Sequence, residues 1–351
     1  MSPVALSVLD QTPVPEGCTA AEAVGHTVAL ARAAEALGYR RYWLAEHHDT
    51  PSLAGTAPEV LVAAVAGATC RIRVGSGGVL LPYYSPLKVA EAFRMLHTLH
   101  PGRIDLGVGR AAGTDPTAEA ALLASGGASG DRHFVEHLAD LLGFLRGDLP
   151  AEHPYAGVRA MPDGPGEPEV WLLGSSSHSS SAAGLFGLSF AFAHFITPDF
   201  GPQLVAGYRR RFRPGVLEAP RVAVAVSVLC ADTDADARRQ ASTTDLWRLG
   251  PEGSARPPIS PPDAVAAHRW TELERVRADQ ARAKSVVGPP EVVRPRLEAL
   301  AADFGVDELI VLTVCHDPAA RLRSYELLAE AFDLAGPGRP PPPGAGPSAR
   351  T

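Results

Sequence analysis

The chain is predicted to be an α/β protein, a (β/α)8 TIM barrel with insertions, on three observations. Short apolar runs alternate with longer helical patterns, the layout of βα units around a parallel sheet. Eight such strand candidates are spread over more than 250 of the 351 residues, which suits a barrel better than a doubly wound sheet. The 34 glycines and 33 prolines, about a fifth of the chain, imply many connections between elements.

Taken in order, Val4 to Leu9 opens as a strand, and helical Ala20 to Leu37 ends at Gly38, a plausible left-handed cap, before strand Tyr39 to Ala45. Helix Pro58 to Ala68, strand Ile72 to Leu81, helix Pro86 to Leu99 and strand Ile104 to Val108 repeat the unit, with Pro58 and Pro86 suited to the first helical position. Phe134 to Leu145 is helical, Val170 to Leu173 a strand, Ser180 to Gly187 helical and Phe190 to Ala193 a strand. Leu204 to Phe212 is helical, Arg221 to Cys230 a strand, Ala235 to Leu246 and Glu291 to Phe304 helical, and Glu308 to Val314 the last strand.

Two stretches break the repeat, Pro150 to Pro168 and Gly250 to Lys284, and both are expected to be barrel insertions within one domain, residues 1–335. A lid is the functional reading of such segments and a surface excursion the plainer one; the plainer one is preferred here. Gly336 to Thr351, with Pro340 to Pro343 in a row, has little apolar area to bury and is expected to be a disordered tail.

A net charge of -7 argues against a grip on nucleic-acid backbones, which needs a concentrated basic surface. Lysine occurs only at Lys88 and Lys284, and asparagine not at all, so N-glycosylation and Cys-His-Asn triads are excluded. The four cysteines, Cys18, Cys70, Cys230 and Cys315, form no C-x-x-C pair, no run of about 18 apolar residues exists, and no secretory signal opens the chain; a cytoplasmic protein with free thiols and no membrane association is expected.

Chemistry-bearing residues fall at strand ends. Gly107-x-Gly109 with Gly113 imitates a dinucleotide fingerprint, but the third glycine comes one position late. Arg110, at the C-terminal end of its strand, could hold a phosphate in bidentate fashion, with a structural ion pair as the alternative. Gly174-Ser-Ser-Ser-His-Ser179 leads from a strand into a helix, so backbone N–H groups and hydroxyls can form an anion cradle; plain capping is the alternative. Gly77 and Gly78 weaken a strand unless something flat approaches the backbone or a bulge occurs there. Glu46-His47-His48 follows the second strand, where an imidazole could act as acid or base. His133-x-x-Glu136-His137 fits a zinc-hydrolase pattern, but no third ligand can be named and no metal is assigned.

Together, Leu6-Ser-Val-Leu-Asp10, Tyr42-Trp-Leu-Ala-Glu-His-His48, Gly75-Ser-Gly-Gly-Val-Leu-Leu-Pro82, His100-Pro-Gly-Arg-Ile-Asp-Leu-Gly-Val-Gly-Arg110 and the Gly174-Ser-Ser loop resemble the luciferase-like flavin monooxygenases, in the single-chain bacterial group. Val306-Asp-Glu-Leu-Ile310 and His316 to Tyr325 resemble that family's last barrel unit. The resemblance implies FMN at the barrel mouth, its phosphate held by Arg110, Ser175, Ser176 and Ser179 beside Gly174, its ring over Gly77 and Gly78 at a non-prolyl cis peptide, and His47 as the catalytic histidine. It further implies a homodimer that takes FMNH2 from an NAD(P)H:flavin reductase and activates O2 as a flavin C4a-peroxide to oxidise a small organic substrate; the Ala, Arg and Pro bias of the chain, that of a GC-rich genome, suggests a place in secondary metabolism. The luciferase site cysteine is matched by Gly109, and Tyr83-Tyr84 replaces a small or polar pair, so aldehyde oxidation with light does not follow. Alternatives are a non-catalytic FMN-binding relative and an F420-dependent oxidoreductase on the same barrel.

Overall fold

The computed structural model describes residues 3–110, 115–124, 133–250 and 256–334. The Pro-rich tail, 336–351, lies outside them. Ten strands are present: β1 (Ala5–Asp10), β2 (Arg41–Leu44), β3 (Arg73–Ser76), β4 (Val79–Leu80), β5 (Ile104–Gly109), β6 (Glu169–Gly174), β7 (Ser189–Ala193), β8 (Val222–Cys230), β9 (Ser285–Gly288) and β10 (Glu308–Leu312). Eight of them close a ring in the order β1-β2-β3-β5-β6-β7-β8-β10, with β10 returning to β1 and every pairing parallel. This is the (β/α)8 barrel.

Local signals explain the helices that frame it. Thr19 caps Ala20–Leu37 in a reciprocal capping box with Glu22, and Gly38 ends the helix at φ 90°. Pro58 and Pro86 open their helices at the first turn, where no N–H partner is lost. Several helices depart from expectation, among them Gly201–Arg211, which starts three residues before Leu204, and Asp234–Leu249, which runs three residues past Leu246. Ser177–Leu185 starts three residues earlier than Ser180, and Pro116–Leu123 and Pro318–Ala331 were not marked by periodicity. The apolar run Ile72 to Leu81 is two strands rather than one, because β3 ends before a cis Gly77–Gly78 peptide and β4 resumes against β5. The short β9 was not anticipated; it pairs with the outer half of β8, from Ser227↔Ser285 to Cys230↔Gly288, outside the ring.

Because side chains alternate across a strand, the inward residues form layers. The floor, at the N-terminal end, is charged: Arg41 lies 2.9 Å from Asp105, 2.7 Å from Glu308 and 3.1 Å from Glu169. Arg221 reaches Glu169 at 2.7 Å, Arg73 pairs with Asp105, and Ser7 donates to Glu308 at 2.7 Å. Above it Trp43 and Trp171 meet edge to face, 5.3 Å between centroids, and their indole N–H groups donate down to Asp105 and Glu169. Leu9, Ala191, Ala223 and Ile310 complete this layer. Of the upper inward positions, Ala45, Gly77, Gly109, Ala193 and Ala225 are small, whereas Leu173 and Leu312 are large.

Outside the ring, Asp10 seals the first strand to the last helix. It accepts from Arg321 at 2.7 Å, from the Tyr42 hydroxyl and from the Thr12 N–H. Burial alone would raise its pKa, but the Arg321 charge and these hydrogen bonds outweigh burial and hold the carboxyl below its ordinary value. A carboxylate depressed in the folded state contributes stability that is present above the unfolded pKa of about 3.9 and is lost as pH falls through the folded value. Asp10→Asn should therefore lower the unfolding midpoint at pH 7 and flatten its fall between pH 5 and 3. Parallel pH profiles for both proteins would refute this.

The two insertions differ. Pro150 to Pro168 runs along the N-terminal face, tied by Arg94 to the carbonyls of Leu145 (2.7 Å) and Pro162 (2.9 Å). In the second, Gly250 to Lys284, residues 251–255 lie outside the described ones, and the stretch around Ile259 is not a surface excursion. Ile259 is wholly buried with Trp43, Leu53 and Trp247, and it exchanges backbone hydrogen bonds with Val14 and Glu16 in the loop after β1. The stretch around Ile259 thus packs onto the barrel mouth. No helix among the described residues is long and apolar enough to cross a membrane.

Candidate active site

The residues singled out in the sequence come together on one arc of the mouth. His47 follows β2, Gly77 and Gly78 join β3 to β4, Arg110 follows β5 and Gly174 ends β6; in the ring these strands are consecutive neighbours. The parallel register brings Val108 beside Leu172, which puts Arg110 alongside the start of the serine loop.

Glu46 organises this arc. Its buried carboxylate accepts the Leu80 N–H at 2.9 Å and the Tyr84 hydroxyl at 2.6 Å, and it lies 2.7 Å from His48 Nε2. One side chain therefore ties β2 to the segment beyond the glycines. Sequence reading missed this role for Glu46 and Tyr84; the Tyr83-Tyr84 departure was its only trace.

His47 is set apart from its neighbour. Its N–H donates to the Gly55 carbonyl at 2.8 Å, and its half-buried ring has an Nδ1 shielded from solvent with no hydrogen-bond partner. Burial first, then the charges of His48 and Arg256, pull its pKa down to about 4. The imidazole is accordingly neutral near pH 7 and can accept a proton.

A Cβ on Gly77 would come within 2.7 Å of Leu9 Cδ1, and one on Gly78 within 2.7 Å of the Gly107 carbonyl oxygen. Close approach of the Gly107 backbone thus excludes a side chain at Gly78, whereas at Gly77 the Leu9 side chain would have to shift, and the peptide between the two is cis. In the serine loop, Ser176 caps the helix Ser177–Leu185 and Ser179 completes a capping box. The Ser179 hydroxyl donates to the Ser176 carbonyl at 2.9 Å and is buried, so it is committed to the cap. The loop offers an anion its first-turn N–H groups and the half-buried Ser175, together with the half-buried Arg110.

The arrangement suits a planar group with an anionic tail. The unpartnered His47 Nδ1 lies on the same arc as the helix N-terminus and guanidinium. Away from this arc, His133 pairs with Glu136 at 2.6 Å on the surface, and no group of three or more His, Cys, Asp or Glu positioned to hold a metal occurs among the described residues.

Comparison with known proteins places the chain in a family. The family model described as luciferase-like monooxygenase matches residues 4–308. A luciferase-like monooxygenase of Escherichia coli (strain K12) is 40% identical over 331 residues, covering 92% of this chain and 96% of that protein. The N-acetyl-S-alkylcysteine monooxygenase of Bacillus subtilis (strain 168) is 35% identical over 331 residues, covering 93% and 98%. The crystal structure of apo-MsnO8 superposes with a TM-score of 0.85 at 41% identity, covering 95% of this chain and 100% of that one. The chain belongs to the luciferase-like monooxygenase family of flavin-dependent oxidoreductases.

Proposed function

We propose that the protein is the oxygenating component of a two-component monooxygenase, which receives FMNH2 from an NAD(P)H:flavin reductase and oxidises a small organic substrate with O2. The observation that carries this reading is the convergence of a neutral histidine, a double glycine, a guanidinium and a helix N-terminus on four neighbouring strand ends. When bound, reduced FMN supplies the electrons that activate oxygen.

The residues divide the remaining work. Arg110 and the N–H groups at the start of Ser177–Leu185 hold the phosphate, with Ser175 and Ser176 beside them. Gly77 and Gly78 present bare backbone to the ring, and Glu46 keeps that backbone in place through Leu80. His47 moves a proton at Nδ1. The segment around Ile259 limits water at the mouth. FMN is preferred to F420 because relatives named monooxygenases insert oxygen, whereas deazaflavin enzymes transfer hydride. Thioethers are the first substrate class to assay, since one relative is named for an S-alkylcysteine.

Titrating the protein with FMN and F420, each oxidised and reduced, and then admitting oxygen tests the proposal. Preferential binding of FMNH2 and oxygen-dependent product formation are expected; preference for F420, or tight FMN binding without any turnover, would overturn it. The low pKa of His47 adds a pH prediction. With its folded value near 4, the imidazole stays neutral as pH falls through the ordinary histidine range. Turnover per free enzyme should therefore lose activity on the acid side only toward pH 4, and an acid limb centred near 6.5 would contradict this role.

A further inference from the structure

The opposite end of the barrel holds a cavity of about 320 Å3 that the flavin reading does not use. This lies within the range of small-ligand sites, roughly 300–1,000 Å3. Four of its lining residues, Arg73, Glu169, Ser189 and Arg221, stand at the first turns of β3, β6, β7 and β8, and Val170, Leu188 and Leu217 supply apolar wall.

Ser189 is the informative residue. It is fully buried, at 0% exposure, yet its Oγ has no hydrogen-bond partner. A buried hydroxyl left without a partner is costly, and its position on a cavity wall says where a partner would sit. Across the same space, Arg221 spends Nη1 on Glu169 and makes no other side-chain hydrogen bond among the described residues. Arg146 lies at the rim with no ion pair within 4 Å among the described residues, and His97 contributes an Nδ1 that is shielded and unpartnered.

The uncommitted donors on the cavity wall suit an anion. Glu169 is paired with Arg41, Arg73 and Arg221, of which Arg41 also serves Asp105 and Glu308 and Arg73 also serves Asp105. The remaining carboxyl, Glu167, is pushed up in pKa by burial, and burial first, then the charges of Arg73 and Arg94, pushes His97 down. We propose that this floor cavity is a second binding site, for a small carboxylate or phosphate anion held by the Ser189 hydroxyl and the spare donors of Arg221 and Arg146.

The test uses the full-length protein with inorganic phosphate and with succinate as separate probes, at constant ionic strength set with NaCl. Thermal unfolding and calorimetric titration are read for the wild type, Ser189→Ala, Arg221→Gln and Arg110→Ala. A saturable rise in midpoint with at least one probe is expected, and which probe gives it separates the two anion classes. The affinity should weaken roughly 10-fold or more in Arg221→Gln and several-fold in Ser189→Ala, and stay unchanged in Arg110→Ala. Ser189→Ala should itself be no less stable than wild type, because it removes an unsatisfied group while sparing the ion pair. It remains decisive if Arg221→Gln fails to fold. No saturable effect beyond NaCl would mean that water alone meets Ser189 and would overturn the proposal. An effect lost in Arg110→Ala and kept in Ser189→Ala would also overturn it, by placing the anion at the mouth; the flavin reading would then survive.

Discussion

His47→Ala should lower oxygen-dependent turnover by ~10²- to 10⁴-fold while leaving flavin affinity within a few-fold, the range lost when a positioned proton-transfer group is removed. The expectation rests on a ring that among the described residues forms no salt bridge and keeps an unpartnered Nδ1, and that stays neutral at working pH. Arg110→Ala should do the reverse. A charge-assisted hydrogen bond contributes about 1.5–3 kcal/mol, so FMN binding should weaken by ~10- to 100-fold, with turnover recovering at saturating flavin. Fluorescence titration of FMN and product analysis under a reductase-coupled assay read the two quantities separately. Equal effects of both substitutions on both readouts would refute the division of roles.

Arg41→Met should cost about 3–5 kcal/mol of stability, the largest effect expected of any single substitution away from the mouth. The guanidinium is 1% exposed and serves Asp105, Glu169 and Glu308 from three other strands. Its loss leaves buried carboxylates short of one positive charge. Asp105 is already pushed up by burial, against the opposing pull of Arg41 and Arg73. A carboxyl whose folded pKa is raised favours folding below its unfolded value and loses that contribution as pH rises, so the variant's deficit should shrink as the medium is acidified toward pH 4. Urea unfolding at pH 7 and pH 4.5 measures this. A loss under 1 kcal/mol at pH 7 would show that the floor network carries little of the stability.

Much of the barrel was legible because its signals are local. The helices Ala20–Leu37, Pro58–Ala68 and Pro86–Leu99 coincide with the expected ranges, since Thr19, Gly38, Pro58 and Pro86 act within one turn of their own positions. The ends of β1, β2, β5 and β6 were legible too, and so was the arc of the mouth, because a parallel barrel puts every strand's C-terminal end on one face. Where a property depended on a distant partner, reading failed. The run Ile72 to Leu81 looks like one strand; the break falls at Gly77–Gly78, where a Cβ would meet Leu9 and Trp43 or the Gly107 backbone.

By itself, then, the sequence determined the alternation of elements, the caps and the set of candidate residues at strand ends, all of which follow from backbone conformation and short-range periodicity. The tertiary structure alone decided that Ile259, in a Pro-rich stretch that resembles a loop, is buried at the mouth, and that Arg41 is buried among carboxylates at positions 105, 169 and 308. Burial and charge pairing are properties of what surrounds a side chain. In a closed barrel those surroundings are set by residues hundreds of positions apart, brought together only when the last strand meets the first.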